Sequence, residues 1–595
     1  MTKNIPEINW NDYGLKSTDI SITRLLEKNS IKIRRSFKLY IDNIGIKKKS
    51  NKITLLDYLL LDDFSLWYSS ILYEKNFYKT SQIVNCLKLI ALRDYIKENK
   101  VKKVILINFP NSCKIPLESL SKKLKFNFET HQIDNDSNIY SYINIKNIIP
   151  YKIRALITLS KLYTKSLLIG KINNESIDYN RQKRKIIVST YFLNFSEKLL
   201  SRGTFHSDYW GDLIRKIHEW GFDIEWLHTF STDNKNFRQN INRIRSIRKK
   251  NEKHIFLEDN INLRLILKIF IRYLKITSNI NRLPDIKFLL DDEKNNLYFH
   301  SLLKNEITDS FIGPNLIRNI MNYFLFKAYF KNKDAHRLLY LHEGQGWEKI
   351  FLHILNKFTS IKKTGVIQSP VRFWDIKLFD FPENKLNNSL PFPDKIALNT
   401  FSGISMMKQA GFPKKDLIGV RSLRKKKIDS KYKNNKNVQL VVFGSFQKSI
   451  TDELVDTLNR FKFKDEVKIM FRPHPGYQEV PNIDNLSLNT KDSFNRLVGK
   501  SDIIIVAGDS SIAVDAFFAN KKMIIYLGQG NLNYSPLRNE KAVEFAKNKN
   551  DLIKKLDYFI INFHNNSRKK FNYRKRVNNF YIKDDNFLNW KKIIY

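Results

Sequence analysis

The stretch DIIIVAGDSSIAVDAFFA, Asp502–Ala519, decides the fold class. Ile503-Ile504-Ile505-Val506 is a continuous β-branched run, apolar on both faces, as a strand must be when helices cover both sides of a parallel sheet. Gly508-Asp509-Ser510-Ser511 breaks the run, and from Ile512 apolar residues fall at helical spacing to Ala519. One strand, one tight turn and one helix make a βα unit.

The same unit repeats on either side. Val467 to Phe471 is a strand that runs into Arg472-Pro473-His474-Pro475-Gly476, and Val438 to Phe443 runs into Gly444-Ser445. Met523 to Leu527, Lys395 to Leu398 and Leu417 to Val420 complete the strand set, with helices expected at about 403–410, 451–461, 493–499 and 512–519. This alternation predicts a doubly wound parallel domain over 382–560, opened by a proline-rich boundary at Pro382 to Pro393.

Upstream, strands are expected at Val101 to Phe109, Ile186 to Phe192, Phe222 to His228, Leu338 to His342 and Thr364 to Gln368, with a weaker one at Lys125 to Ile133. They predict a first Rossmann-like domain over 99–381 with a helical insertion at about 230–335. A mostly helical segment, 1–98, precedes it. A basic, aromatic tail, 561–595, either crosses back to the first domain or lies on a surface. Two α/β domains joined at a hinge place a ligand cleft between the carboxyl ends of their strands.

The chain has 595 residues, enough for several domains, and its 13% aromatic content must be buried, which excludes disorder as the dominant state. No run is long and apolar enough to span a membrane, and the start lacks the apolar core of a signal peptide. Two cysteines, Cys86 and Cys113, make no disulfide framework. These features predict a cytoplasmic protein. Lys and Arg number 104 against 59 acidic residues, a net charge of +45. The charge is spread along the chain without a nucleic-acid-binding motif, so no nucleic acid partner is expected. An anionic membrane surface is the charged partner considered, with the protein peripheral on the inner face.

The most specific chemistry lies in the second half. Two prolines fix the backbone around His474 at a strand's carboxyl end, where the imidazole could donate to a phosphate, with Arg472 as a second cation and Pro475 as part of the turn. Ser510 and Ser511, at a helix start, offer hydroxyls and free backbone N–H groups to a phosphate or carboxylate. Gly444 and Ser445 are weaker contacts of the same kind.

In the first half, HEGQGWE, His342–Glu348, ends a strand in an acid and follows it with glycines that permit close approach. Glu343 is the candidate general base and Glu348, one helical turn on, the alternative. Arg372 could grip a carboxylate or pair with Asp375 as a hinge salt bridge. His206 and Asp208, between strand and helix, suit a sugar acceptor; the alternative is that Ser207 or Asp208 caps the helix. No Walker A motif, G-x-G-x-x-G fingerprint, Cys/His metal spacing or D-x-D pair is present, so neither a metal nor a resident cofactor is expected.

Glu343-Gly344, His474-Pro475 and Ser510-Ser511, in that order, resemble the acid–glycine, His-Pro and Ser-Ser motifs of GT-B bacterial sialyltransferases and 3-deoxy-ulosonic acid transferases. The sequence departs at His342, where an acid is usual. HEGQGWE through VRFWD also looks like a group of bacterial surface-carbohydrate biosynthesis proteins. The resemblance implies a GT-B fold, two Rossmann-like domains facing a central cleft, and a CMP-activated sialic, legionaminic, pseudaminic or Kdo-type donor. It further implies a surface-glycan or glycolipid acceptor, with His474 on the donor phosphate, Ser510 and Ser511 holding nearby oxygens, and Glu343 as base. The alternatives are a GT-B transferase using a UDP- or GDP-sugar, a glycerol-phosphate-type polymerase, or a non-catalytic glycan-binding protein of the same fold.

Overall fold

A computed structural model describes residues 5–11, 20–80, 82–132, 149–170, 184–192, 195–196, 199–200, 204–229, 237–248, 252–380, 390–423, 437–445, 447–463, 467–474, 487–489, 492–519, 521–541, 543–565 and 580–595. Three all-parallel sheets organise them.

The C-terminal sheet has six strands in the order Ser487–Leu488, Val467–Arg472, Val438–Phe443, Ile503–Ala507, Lys522–Tyr526 and Glu544–Ala546. Side chains alternate across it. Leu440, Val442, Ile503 and Ile505 pack under the helices Lys448–Asn459 and Lys549–Asn565. Val441, Phe443, Ile504 and Val506 pack under Phe494–Lys500 and Ile512–Phe518. Each fully buried aliphatic contributes about 1.5–3 kcal/mol, so continuous β-branched strands are what a sheet covered on both faces requires.

The central sheet has seven strands, in the order Leu417–Gly419, Lys395–Leu398, Lys362–Ile367, Arg337–Leu341, Lys185–Tyr191, Asp223–Thr229 and Lys253–Phe256. Two doubly wound sheets facing one cleft are the architecture expected. The boundary between them is corrected. Lys395–Leu398 and Leu417–Gly419, expected in the second domain, pair into the central sheet, with Thr364 to Ile367 registered against Lys395 to Leu398. Asp394 fixes that register: its carboxylate accepts from the Lys363 backbone N–H (2.8 Å) and its own N–H donates to Lys363 O (3.0 Å). The proline-rich stretch therefore joins neighbouring strands of one sheet, and the crossing between sheets falls within 420–437. Most of that stretch, 381–389, lies outside the described residues.

The N-terminal segment is a sheet-bearing unit and not only helical. Ile20–Ser21, Glu7–Asn9, Lys103–Ile107 and Asn127–His131 lie side by side in that order, all parallel, so the strands expected to open the first domain belong to a separate four-stranded sheet. One hydrophobic core joins this unit to the helical region. It includes Phe37, Trp67 and Leu87 of the first hundred residues together with Leu303, Ile317, Phe324 and Phe351. At its centre is α3 (Pro314–Phe330), against which α1 (Tyr151–Gly170) and α2 (Leu263–Ser278) pack.

The tail crosses back. Thr400 and Tyr581 form an antiparallel bridge, and the helix Leu588–Ile594 buries Trp590, Ile593 and Ile594 with Leu339, Leu341, Val366 and Ala397 of the central sheet. His336 Nε2 meets Ile594 O at 2.8 Å. No helix among the described residues is long and apolar enough to cross a membrane.

Candidate active site

The cleft between the central and C-terminal sheets encloses about 860 Å³. From the C-terminal side it is lined by His474, Asp509, Ser510 and Ser511, and from the central side by Asp208, Gln345, Gln368, Arg372 and Lys377. Asn76, Tyr78 and Lys79 of the N-terminal unit form a third wall.

His474 stands two residues beyond Arg472, the last residue of its strand. Burial pushes its imidazole pKa down; Asp509 pulls it up and Arg372 adds to the depression. Ser510 and Ser511 lie across the same cleft wall, and Ser510 Oγ accepts from the Ile512 N–H at 3.3 Å. Asp509 has a role the sequence motif alone did not show. Its carboxylate, 5% exposed, accepts a hydrogen bond from Ser445 Oγ at 2.8 Å and faces both His474 and Arg372 electrostatically.

Arg372 makes the expected pair with Asp375, at 3.5 Å, and lines the cleft. Burial opposes its charge, but Asp375, Tyr78 and Asp509 outweigh that cost and hold its pKa above the ordinary value. Tyr78 sits in the same field: burial, then Asp509, push its phenol up.

Several expected contacts are corrected. Arg472 does not line the cleft; its Nη1 donates to Asn489 O at 3.0 Å, just past the end of the paired edge strand, and this contact holds the guanidinium at the sheet's edge. Gly444 and Ser445 also lie off the cleft. Gly444 is packed against Thr451 and Phe471, and Ser445, fully buried, acts through Asp509. Pro475 lies outside the described residues. Of the pair His206 and Asp208, only Asp208 reaches the cleft.

HEGQGWE is built around Glu348, which is structural. Its carboxylate accepts from the backbone N–H groups of Glu343 (2.9 Å), Gly344 (3.2 Å) and Gln345 (3.0 Å) and lies 2.9 Å from His342 Nδ1. An acid three residues into the helix thus holds the whole loop, a capping arrangement. Glu343, half-buried, does not line the cleft, although Gln345 and Lys377, which its carboxyl faces, do. Burial pushes its carboxyl up, Lys377 opposes this, and Glu348 adds to it.

The two glycines serve chain packing and do not clear space for an acceptor. Gly344 has φ +69°, and a Cβ there would meet Lys377 O at 2.6 Å; a Cβ on Gly346 would meet Ser69 O at 2.6 Å. That close approach lets the N-terminal unit reach the cleft. Glu74, 6% exposed, accepts from the Gly346 N–H (3.1 Å), Asn76 Nδ2 (2.8 Å) and Lys79 Nζ (2.7 Å), and Lys79 also donates to Gln345 Oε1 (2.8 Å). Nothing local in Lys75-Asn76-Phe77-Tyr78-Lys79 marks this wall in the sequence. Among the described residues no group of three or more His, Cys, Asp or Glu is arranged to hold a metal ion.

No protein-family model matches the sequence. Over 181 residues the chain is 29% identical to the minor teichoic acid biosynthesis protein GgaB of Bacillus subtilis (strain 168); the match spans 29% of this chain and 18% of that protein's own length. Similar solved structures include MurG of Acinetobacter baumannii, with a TM-score of 0.35, 10% identity, and coverage of 69% of this chain and 98% of that one. Another is the calicheamicin glycosyltransferase CalG4, with a TM-score of 0.37, 8% identity, and coverage of 67% and 92%.

Proposed function

We propose that the protein is a transferase that moves a glycosyl or glycerol-phosphate-type unit from a nucleotide-activated donor to a surface glycan or teichoic-acid-type polymer. The observation that carries this reading is the cleft itself, where His474, Arg372, Ser510 and Ser511 converge from two sheets with Asp208 opposite. Cations, hydroxyls and a helix start are the donor set that a transferring or departing phosphate needs, and they act most strongly in a partly water-excluded site. The relation to a teichoic acid biosynthesis protein supports a UDP- or GDP-sugar or polyol-phosphate donor over the CMP-activated acidic sugar that the motif resemblance implies.

In this reading Arg372 and the two serines hold the donor phosphates. His474, kept largely neutral by burial, donates its N–H to a phosphate oxygen. As negative charge builds on the departing phosphate the imidazole gains affinity for a second proton, so its stabilisation grows towards the transition state. Asp208, the central-sheet carboxylate that lines the cleft, is placed to take the acceptor hydroxyl's proton, and Tyr78 and Lys79 shape the acceptor side.

A thermal-denaturation panel of UDP, GDP, CDP, ADP and CMP tests the donor class, because a ligand that binds only the folded protein raises its apparent stability. A nucleoside diphosphate that stabilises well beyond CMP is the expected result for a glycosyl donor; transfer of a polyol phosphate releases a nucleoside monophosphate, so CDP and CMP would then both stabilise. Stabilisation by CMP with none by CDP would return the donor to the CMP-sugar class, and no response to any nucleotide would overturn the reading.

A further inference from the structure

An exposed apolar stripe that the proposed transfer does not use lies on α2. Leu263, Leu267, Ile271 and Leu274 are 47% to 62% exposed, while Ile269, Tyr273 and Ile276 on its other side are buried. The helix is therefore anchored by one face and presents a second apolar stripe outward over about 24 Å, at 1.5 Å per residue. Arg264, Lys268, Arg272 and Lys275 flank that stripe, and the helix carries no acidic residue. Arg272 is partly engaged by Asp62 at 3.6 Å.

The same composition recurs on a neighbour. α1 exposes Ile153, Leu156, Ile157, Leu167 and Leu168, carries Lys152, Arg154, Lys161 and Lys165, and again has no acid. Both helices pack on α3, and the short turn Leu257–Asn260 that leads into α2 also touches α1. Two helices on one packing partner thus leave leucine and isoleucine exposed beside lysine and arginine, with no acid of their own.

We propose that the α1–α2 face is a docking surface for an anionic lipid bilayer. An exposed apolar stripe edged by lysine and arginine matches the boundary between acyl chains and acidic headgroups, with the stripe entering the apolar layer and the cations meeting lipid phosphates. A purely apolar patch would fit another protein equally well; the uniform positive charge on both helices selects the negatively charged lipid surface. Docking there would hold the enzyme at a membrane while leaving the cleft, which uses none of these residues, free for donor and acceptor.

Co-sedimentation of the full chain with vesicles tests the assignment. Wild type should pellet with phosphatidylcholine vesicles containing phosphatidylglycerol, much less with phosphatidylcholine alone, and less at high salt. A Leu267→Glu/Ile271→Glu variant, changed only at exposed positions, should bind at least ~10-fold more weakly with an unaltered melting temperature. Arg264→Glu/Lys275→Glu should lose the preference for acidic lipid, and Ile153→Glu/Leu168→Glu should weaken binding independently. Wild-type binding that ignores lipid charge, or α2 variants that bind as wild type does, would overturn the proposal. So would light scattering that shows a dimer dissociating in the Leu267→Glu/Ile271→Glu variant while lipid binding persists, since the face would then belong to a second copy.

Discussion

Ser445 Oγ donates to Asp509 Oδ1 at 2.8 Å, joining the turns that follow two adjacent strands of the C-terminal sheet. Asp509 in turn supports positive charge on His474 against burial. Asp509→Asn removes that support, so the His474 pKa should fall further below its ordinary value. The acidic limb of the kcat/KM profile should then move to lower pH. Ser445→Ala leaves the charge in place but withdraws a hydrogen bond from a buried carboxylate, and should cost about 1–3 kcal/mol of stability in denaturant titration with little change in the profile.

His474→Ala should lower turnover at least ~100-fold, the order seen when one donor to a developing charge is lost. Arg472→Ala is the paired measurement. Its guanidinium is spent on Asn489 O, so turnover should stay within a few-fold of wild type. Equal losses in the two variants would mean that Arg472, too, reaches the donor.

Asp208→Asn should collapse transfer while nucleotide affinity, set by Arg372, His474 and the two serines, barely changes. Glu343→Gln should have a smaller effect, since Glu343 does not line the cleft. The reverse ranking in steady-state kinetics would place the base at Glu343, whose burial-raised pKa suits that task.

Lys88 should give a pH signature of its own. Burial pushes its pKa down to about 8, and its Nζ donates to Trp10 O at 2.9 Å. Above pH 8 the unfolded chain binds more protons at this site than the folded one, so the penalty for burying the charge is full below 8 and fades as pH approaches 10.5. Wild type should therefore gain up to about 3 kcal/mol relative to Lys88→Met across that window, measured by urea unfolding at several pH values. A difference that stays flat with pH would show that Lys88 keeps its proton.

The C-terminal sheet was legible because its strands are self-announcing. Ile503 to Val506 can only be a strand covered on both faces, and Val438–Phe443 is found with the bounds the sequence predicts. Which sheet a strand joins was not legible: Lys395–Leu398 looks like its neighbours downstream, and only the clamp at Asp394 ties it to Lys363. His474, Ser510 and Ser511 were readable from their turns, and all line the cleft. Arg472 is engaged elsewhere for a reason no local pattern shows: Asn489 O, on a segment 17 positions on, takes its guanidinium. Asn76, Tyr78 and Lys79 were hidden for another reason. Their place depends on Gly346 admitting Ser69, a contact between segments remote in sequence that no local pattern encodes.

The helix Leu588–Ile594 has a consequence for how the molecule can be divided. Trp590, Ile593 and Ile594 fill a core whose first strand begins at Lys185, so the central sheet is completed by residues about 400 positions away, where closing so long a loop slows folding. A fragment ending in the sheet-to-sheet crossing would leave Leu339, Val366 and Ala397 without their cover. The two halves therefore cannot be separated by a single cut. A workable dissection would graft the last helix onto the central unit through a short linker, as a circular permutation does.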